Sequence, residues 1–266
     1  MNQPTTEIRI PATAESTVYI VGGTSGVGLE VARRFVAAGT QRIGLVGRNR
    51  ERGEKAATHI RSLAPGVWSL FVAGDVNDPA EAGRVTDELR AGLGSADILI
   101  NSTTSSFTPR LFHDTAPGDV PDILLQQALG PINMCRAVLP DMRAQRGGAI
   151  VNVASDAAKV PTPGESVLGA AMAAIVSFTK TLAMEAKRDG VRVNAVTPSL
   201  IRDTGAYDRV MAEPFSAKLF EKAARAASLG VAEPVDVAEL IIFLCSPQAR
   251  RITGQAVSPN GGISAG

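Results

Sequence analysis

The sequence predicts one α/β domain, a doubly wound parallel sheet of about seven strands with helices on both faces. Three observations carry this. Short apolar, β-branched runs alternate strictly with helical stretches, the first run ends in a glycine turn that opens a helix, and no linker, repeat or low-complexity segment interrupts the 266 residues. Strands covered on both faces read as continuous apolar runs, so parallel pairing with right-handed crossovers follows.

In chain order, residues 1–15 lack periodicity and are expected to form a flexible tail, with the single domain spanning 16–266. Thr17 to Val21 is the first strand, and a helix follows through Val31, Phe35 and Ala38. The next pairs are strand Ile43–Gly47 with helix Glu51–Leu63, and strand Trp68–Ala73 with helix Pro79–Leu93. Strand Asp97–Asn101 precedes a long helix at Val120–Arg146, and strand Ala149–Ala154 precedes another at about Glu165–Asp189. Strand Val191–Val196, helix Ala232–Ser246 with Pro234 at its start, and strand Gln255–Ser258 complete the set.

Composition narrows the function. Lysine plus arginine (27) balance aspartate plus glutamate (26), which argues against a nucleic-acid or anionic-membrane footprint. Buried on folding, one domain of this length hides roughly 75% of its unfolded surface, so no staple is needed. Cys135 and Cys245 lie in apolar helical stretches, and the N-terminus lacks a basic region followed by an apolar core. A cytoplasmic protein with two free core thiols is expected, with no metal site. The longest small-apolar run, Leu168 to Phe178, reads as too short to span a bilayer.

The glycine turn points to a ligand. Gly22, Gly23, Gly26 and Gly28 follow an apolar strand and open a helix, where a Cβ would block both the tight turn and the approach of a pyrophosphate to the helix's positive end. A dinucleotide is the expected ligand.

With the strand order in place, nearly the whole chain from Thr17 resembles the short-chain dehydrogenase/reductase family, whose fold is Rossmann-type. Gly22-Gly23-Thr24-Ser25-Gly26-Val27-Gly28 is similar to the family's cofactor-binding TGxxxGxG, with Val21 where the threonine would stand. Asp75-Val76 resembles the adenine-contacting segment, and Val191–Pro198 and Ile252–Gly262 follow the family pattern. The resemblance implies cofactor contacts from Gly22, Thr24, Ser25, Gly26, Val27, Gly28, Asp75, Val76, Asn101, Pro198 and Thr204. Gly47 is followed by Arg48 and Asn49 where a carboxylate would read the ribose hydroxyls of NAD, so NADP(H) is expected over NAD(H), with Arg48 on the 2′-phosphate.

The resemblance also implies four catalytic side chains, and three positions have changed. Ser155 matches the substrate-oxygen serine. Leu168 stands at the proton-donating Tyr, and Met172 at the Lys that holds the nicotinamide ribose. The helical Asn falls on Gln127, whose carbonyl should lack its helical partner because Pro131 has no N–H. Leu168 and Met172, four apart, share a helix face and would wall the pocket opposite Ser155. Asp156, Lys159 and Glu165 lie between Ser155 and Leu168 as candidate substitute acids, with solvated loop charges as the alternative. Asp203 and Thr204 belong to a segment expected to be a mobile lid.

Two functions are open at this stage: an NADP(H)-dependent oxidoreductase of ketone, alcohol or quinone-like substrates with a Tyr-independent proton route, or an inactive homologue serving as the silent subunit of an active partner. The expected substrate is a small hydrophobic or aromatic molecule. The Ala-, Leu- and Met-rich outer faces of the two long helices imply a homo-dimer or homo-tetramer.

Overall fold

The computed structural model describes residues 8–266. Its elements are β1 (Thr17–Val21), α1 (Gly26–Ala37), β2 (Arg42–Gly47), α2 (Arg50–Ser62), β3 (Trp68–Ala73), α3 (Pro79–Leu93), β4 (Ile98–Asn101), α4 (Asp119–Ala144), β5 (Gly148–Val153), α5 (Ser166–Ala186), β6 (Val191–Val196), α6 (Gly205–Ala212), α7 (Pro214–Ala226), α8 (Pro234–Cys245) and β7 (Ala256–Val257). All seven strands pair in parallel in the order β3-β2-β1-β4-β5-β6-β7.

Alternation along β1 assigns the two faces. Val18 and Ile20 pack with Phe35 of α1, Ile60 of α2 and Ile241 of α8, whereas Tyr19 and Val21 pack with Leu89 of α3, Met134 of α4 and Leu182 of α5. The strand order reverses direction between β1 and β4, which opens a crevice at the carboxyl ends of the strands. Register aligns those ends: Val21 lies opposite Val46 and Asn101, and Asn101 opposite Asn152.

Several boundaries differ from the sequence reading for local reasons. Asp97 precedes β4 because its carboxylate accepts the Thr17 N–H at 2.8 Å and pairs with Arg9. Within the tail expected at 1–15, residues 1–7 lie outside the described residues, and Arg9 is held by that ion pair and by its N–H bond to the Arg146 carbonyl at 2.9 Å. The lid segment contains two helices that the sequence reading left unassigned. Thr204 caps α6 by accepting the Tyr207 N–H, and Pro214 opens α7.

The Leu168–Phe178 run belongs to a longer apolar helix than its length alone implied. Ser166–Asp189 is long and apolar enough to cross a membrane by length and composition, but it packs against α4, the turn after β5, and β6. Its apolarity is divided between a face buried on β6 and α4 and an outer face on which Met184 is exposed.

Candidate active site

The glycine turn is held by its own backbone. A Cβ on Gly28 would clash with the Gly22 carbonyl, and one on Gly22, at φ +77°, with the Ser102 carbonyl after β4. The turn is thus closed against both α1 and the neighbouring strand end. Gly26 differs: its φ is +51°, and a Cβ there would meet only Thr204 of the lid segment, at 3.6 Å. Ser25 precedes α1 without a side-chain capping bond, which leaves the first amides of the helix available to an anion. A concave, glycine-lined helix N-terminus under a lid fits a dinucleotide pyrophosphate.

The end of β2 is bordered by three arginines. Arg48, Arg50 and Arg52 are exposed and free of salt bridges among the described residues. Arg52 Nε donates to Thr24 Oγ1 at 3.2 Å, which brings a cation onto the glycine turn. Sequence reading missed Arg52 because nothing basic lies within the turn itself; the signal was its place on the first turn of α2, beside the strand end. Asn49 is occupied as the cap of α2, its Oδ1 accepting the Arg52 N–H at 2.8 Å.

Asp75 accepts both the backbone and side-chain N–H of Asn77. Asn77 and Asn133, also missed, fasten this loop to α4: Asn77 Oδ1 accepts the Gly130 N–H at 3.1 Å, and Asn133 donates to the Val76 and Asn77 carbonyls. Asn101 is buried in a chain across the sheet, donating to Asn152 Oδ1 at 2.8 Å, while Asn152 donates to Thr179 Oγ1 of α5. The Pro198 carbonyl accepts the Asp156 N–H at 2.9 Å, tying the ends of β5 and β6 together.

Ser155 lies at the mouth of β5, and its Oγ accepts the Ala157 N–H at 3.2 Å. Gln127 is buried on α4. Its Nε2 donates to Ser105 Oγ at 2.6 Å, and its Oε1 has no partner. Arg209 of α6 reaches the Ser105 carbonyl at 3.3 Å, so the lid and Gln127 meet at one loop residue. Leu168 and Met172 pack with Ala154, the neighbour of Ser155, and with Ala128, the neighbour of Gln127. The cluster therefore lies beside the segments that carry Ser155 and Gln127.

The three substitute acids separate. Asp156 accepts from Ser258, Asn260 and Ser264, and Lys159 donates to Ser258 Oγ and the Gly266 carbonyl, so both hold the C-terminal segment. Glu165 is buried without such ties, and burial first, with Asp156 adding, pushes its carboxyl up to about 7 against a lowering hydrogen bond from Thr162. Burial also pushes both thiols up to about 12, so Cys135 and Cys245 stay protonated. Of the two tyrosines, Tyr19 donates to the Gly94 carbonyl at 2.6 Å at the opposite end of the sheet, while Tyr207 lies on α6. His113 and His59 are exposed.

A family model for enoyl-(acyl carrier protein) reductase matches residues 21–264, the whole span from the glycine turn to the C-terminal segment. The chain belongs to the short-chain dehydrogenase/reductase family. It is accordingly an NAD(P)-dependent oxidoreductase of carbonyl or CH–OH groups. It is similar to the L-sorbose reductase of Gluconobacter frateurii complexed with NADPH and L-sorbose, at 30% identity, TM-score 0.85 and coverage of 96% of this chain and 98% of that one. An NADPH-bound short-chain oxidoreductase of Pseudomonas aeruginosa PAO1 that contains an atypical catalytic center is 27% identical, with TM-score 0.85 over 96% and 99% of the two chains. A 3-ketoacyl-(acyl-carrier-protein) reductase of Brucella melitensis complexed with NADH is 28% identical, with TM-score 0.85 over 96% and 100%.

Proposed function

We propose that this short-chain dehydrogenase/reductase prefers NADP(H) and interconverts a ketone and an alcohol on an apolar, ring-bearing substrate, with no tyrosine at the usual donor position. The observation that carries the reading is the pairing of an uncapped, glycine-lined helix N-terminus with Arg48 and Arg52 at one end of the crevice, and Ser155 opposite the Leu168–Met172 face at the other. The relatives divide between NADPH and NADH, so the preference rests on these arginines.

The bound nicotinamide would supply or accept the hydride. Gly22, Thr24, Ser25, Gly26, Val27 and Gly28 would hold the pyrophosphate, Asp75 and Val76 the adenine, and the Asn101 and Pro198 strand ends and Thr204 the nicotinamide side. Ser155 would orient the substrate oxygen, and Leu168 with Met172 would exclude water and stack a flat ring. Thr204, close to Gly26, would close the lid after both partners bind.

One observation favours a second reading, a silent subunit: Leu168 and Met172 pack into a continuous apolar cluster with Ile175 and Val176, as a filled pocket would. The test is turnover of a panel of plain and hydroxylated aryl ketones and quinones with NADPH. The native protein should reduce several of them, and Ser155→Ala should lower the rate about 10–10³-fold. Native silence, with activity gained by Leu168→Tyr plus Met172→Lys, would establish the second reading instead.

We also infer a homo-oligomer paired through α4 and α5, where Leu124, Leu125 and Met184 are exposed. Light scattering should give a mass well above the 27.6 kDa of one chain.

A further inference from the structure

We propose that Glu165 is the acid that gives the substrate oxygen its proton, in place of the residue that Leu168 has replaced. This rests on the reading above, that the protein reduces a carbonyl.

The geometry begins at the start of one helix. Glu165 is the N-cap of α5, three residues before Leu168, so it stands at the mouth of the helix that carries Leu168 and Met172. Leu168 and Met172 share one apolar cluster with Ala154 and Ala128, which sets the start of α5 beside the segments that carry Ser155 and Gln127. The start of α5 lies directly on the turn that Ser155 caps: a Cβ on Gly169 would approach the Ala157 carbonyl to 2.9 Å.

The loop that leads into Glu165 is covered from the other side. Arg110 N donates to the Gly164 carbonyl at 3.0 Å, Ser216 Oγ of α7 donates to the Pro109 carbonyl at 2.9 Å, and a Cβ on Gly164 would press against the Phe215 ring at 2.7 Å. Under this cover Glu165 is 8% exposed, and no salt bridge includes it among the described residues.

The charged neighbours do not neutralise it. Asp156, from the turn below, repels its ionised form. Lys159 is taken up by Ser258 and the Gly266 carbonyl, and Arg110 pairs with Asp119 at 3.5 Å and stacks on Phe107. Arg209 of α6 bonds to the Ser105 carbonyl, and α7 presents Phe215 and Ser216 to this loop. A carboxyl so placed keeps its proton to about pH 7, where a proton donor is most effective.

The step balances. As the carbonyl carbon gains a hydride from NADPH, the Glu165 O–H bond breaks and the proton forms the O–H bond of the alcohol. NADPH leaves as NADP+, and the Glu165 carboxylate takes a proton back from water. Ser155 orients the oxygen throughout.

The experiment compares native protein, Glu165→Gln, Glu165→Asp and Tyr207→Phe with NADPH and a ketone that the native protein reduces. The native kcat should be level below about pH 7 and fall up to tenfold per pH unit above it. Glu165→Gln should lower kcat by about 10²–10⁴-fold and abolish that fall, with KM changed far less. Glu165→Asp should retain the fall at reduced kcat, and Tyr207→Phe should keep the native profile. Infrared titration of the cofactor-free protein supplies a readout independent of turnover: a protonated-carboxyl band should vanish near pH 7 and be missing from Glu165→Gln. A native-like kcat and profile in Glu165→Gln, transfer of the profile's loss to Tyr207→Phe, or the lack of such a band would each overturn the assignment while leaving the oxidoreductase reading intact. Failure of the native protein to reduce any ketone would overturn both, and is separately recognised because the infrared band persists.

Discussion

The two ends of the crevice are built on opposite principles. At the cofactor end, backbone does the shaping: Gly22 and Gly28 close the turn so tightly that no side chain fits, and the helix N-terminus behind it is left uncapped. At the end where we place the substrate, side chains do the shaping: Gln127 on α4, Leu168 and Met172 on α5, and Ser155 and Glu165 at the two ends of the segment between β5 and α5. A backbone site tolerates almost no substitution and suits a ligand that never changes. A side-chain site on a rigid frame can exchange one functional group for another without moving a strand, and chemistry is free to drift there.

Gly28→Ala should have the largest effect, because the added methyl has no space that can be vacated without moving the Gly22 carbonyl. Overpacking of this kind costs about 1–3 kcal/mol, and more where backbone must shift. NADPH affinity by fluorescence titration should fall at least roughly 100-fold for a loss of about 3 kcal/mol. Gly26→Ala sharpens the comparison, since its Cβ would meet Thr204 only at ordinary contact distance. It should stay folded, losing about 1 kcal/mol to its left-handed backbone. Equal behaviour of the two variants would break the claim that the turn is closed at Gly28 and open at Gly26.

A smaller change is expected at the rim of the cofactor end. Arg52 and Arg48 are exposed, so each should contribute about 1–2 kcal/mol to a 2′-phosphate through charge-assisted hydrogen bonds. Arg52→Ala should therefore weaken NADPH binding about 10-fold and leave NADH unchanged, and raising the salt should shrink the difference. An equal loss for both cofactors would assign Arg52 to the structure of the turn rather than to the phosphate.

Legibility in the sequence follows the same division. The strands and the glycine turn were readable because each is a local pattern: β-branched runs, and glycines at fixed spacing. What escaped reading depends on contacts across the fold. Arg52 touches Thr24 over 28 residues, Asn133 holds the loop at Val76 from 57 residues away, and Asp156 is bound by Ser258, Asn260 and Ser264 more than 100 residues on. Among Asp156, Lys159 and Glu165 the sequence offered no choice, because all three sit on one short loop. Only the C-terminal segment, by occupying the first two, singles out the third. Helices α6 and α7 were missed because they fall between β6 and α8, inside the polar, Gly205-containing segment read as a lid and outside the alternation of strand and helix.

The smallest effect concerns stability, and it isolates the substrate end without cofactor, substrate or turnover. The folded protein holds the Glu165 proton to about pH 7, whereas an unfolded chain releases it near 4.3. Between those values the folded state binds more protons, so the contribution of Glu165 is fully present below about pH 4.3 and is lost as pH rises through 7. Spanning roughly 2.7 pH units at about 1.4 kcal/mol each, the loss is at most about 4 kcal/mol, lessened by any water that follows the ionised carboxylate into the pocket. Glu165→Gln keeps the shape and removes the titration. Its melting temperature should therefore match or trail that of the native protein at pH 5 and exceed it at pH 8, by about 2–4 °C for each kcal/mol. No comparable crossing is expected for Arg52→Ala, which removes no buried carboxyl. Parallel melting curves for native and Glu165→Gln across pH 5–8 would mean that the carboxyl ionises freely, and the contrast between a closed substrate end and an open cofactor rim would lose its electrostatic half.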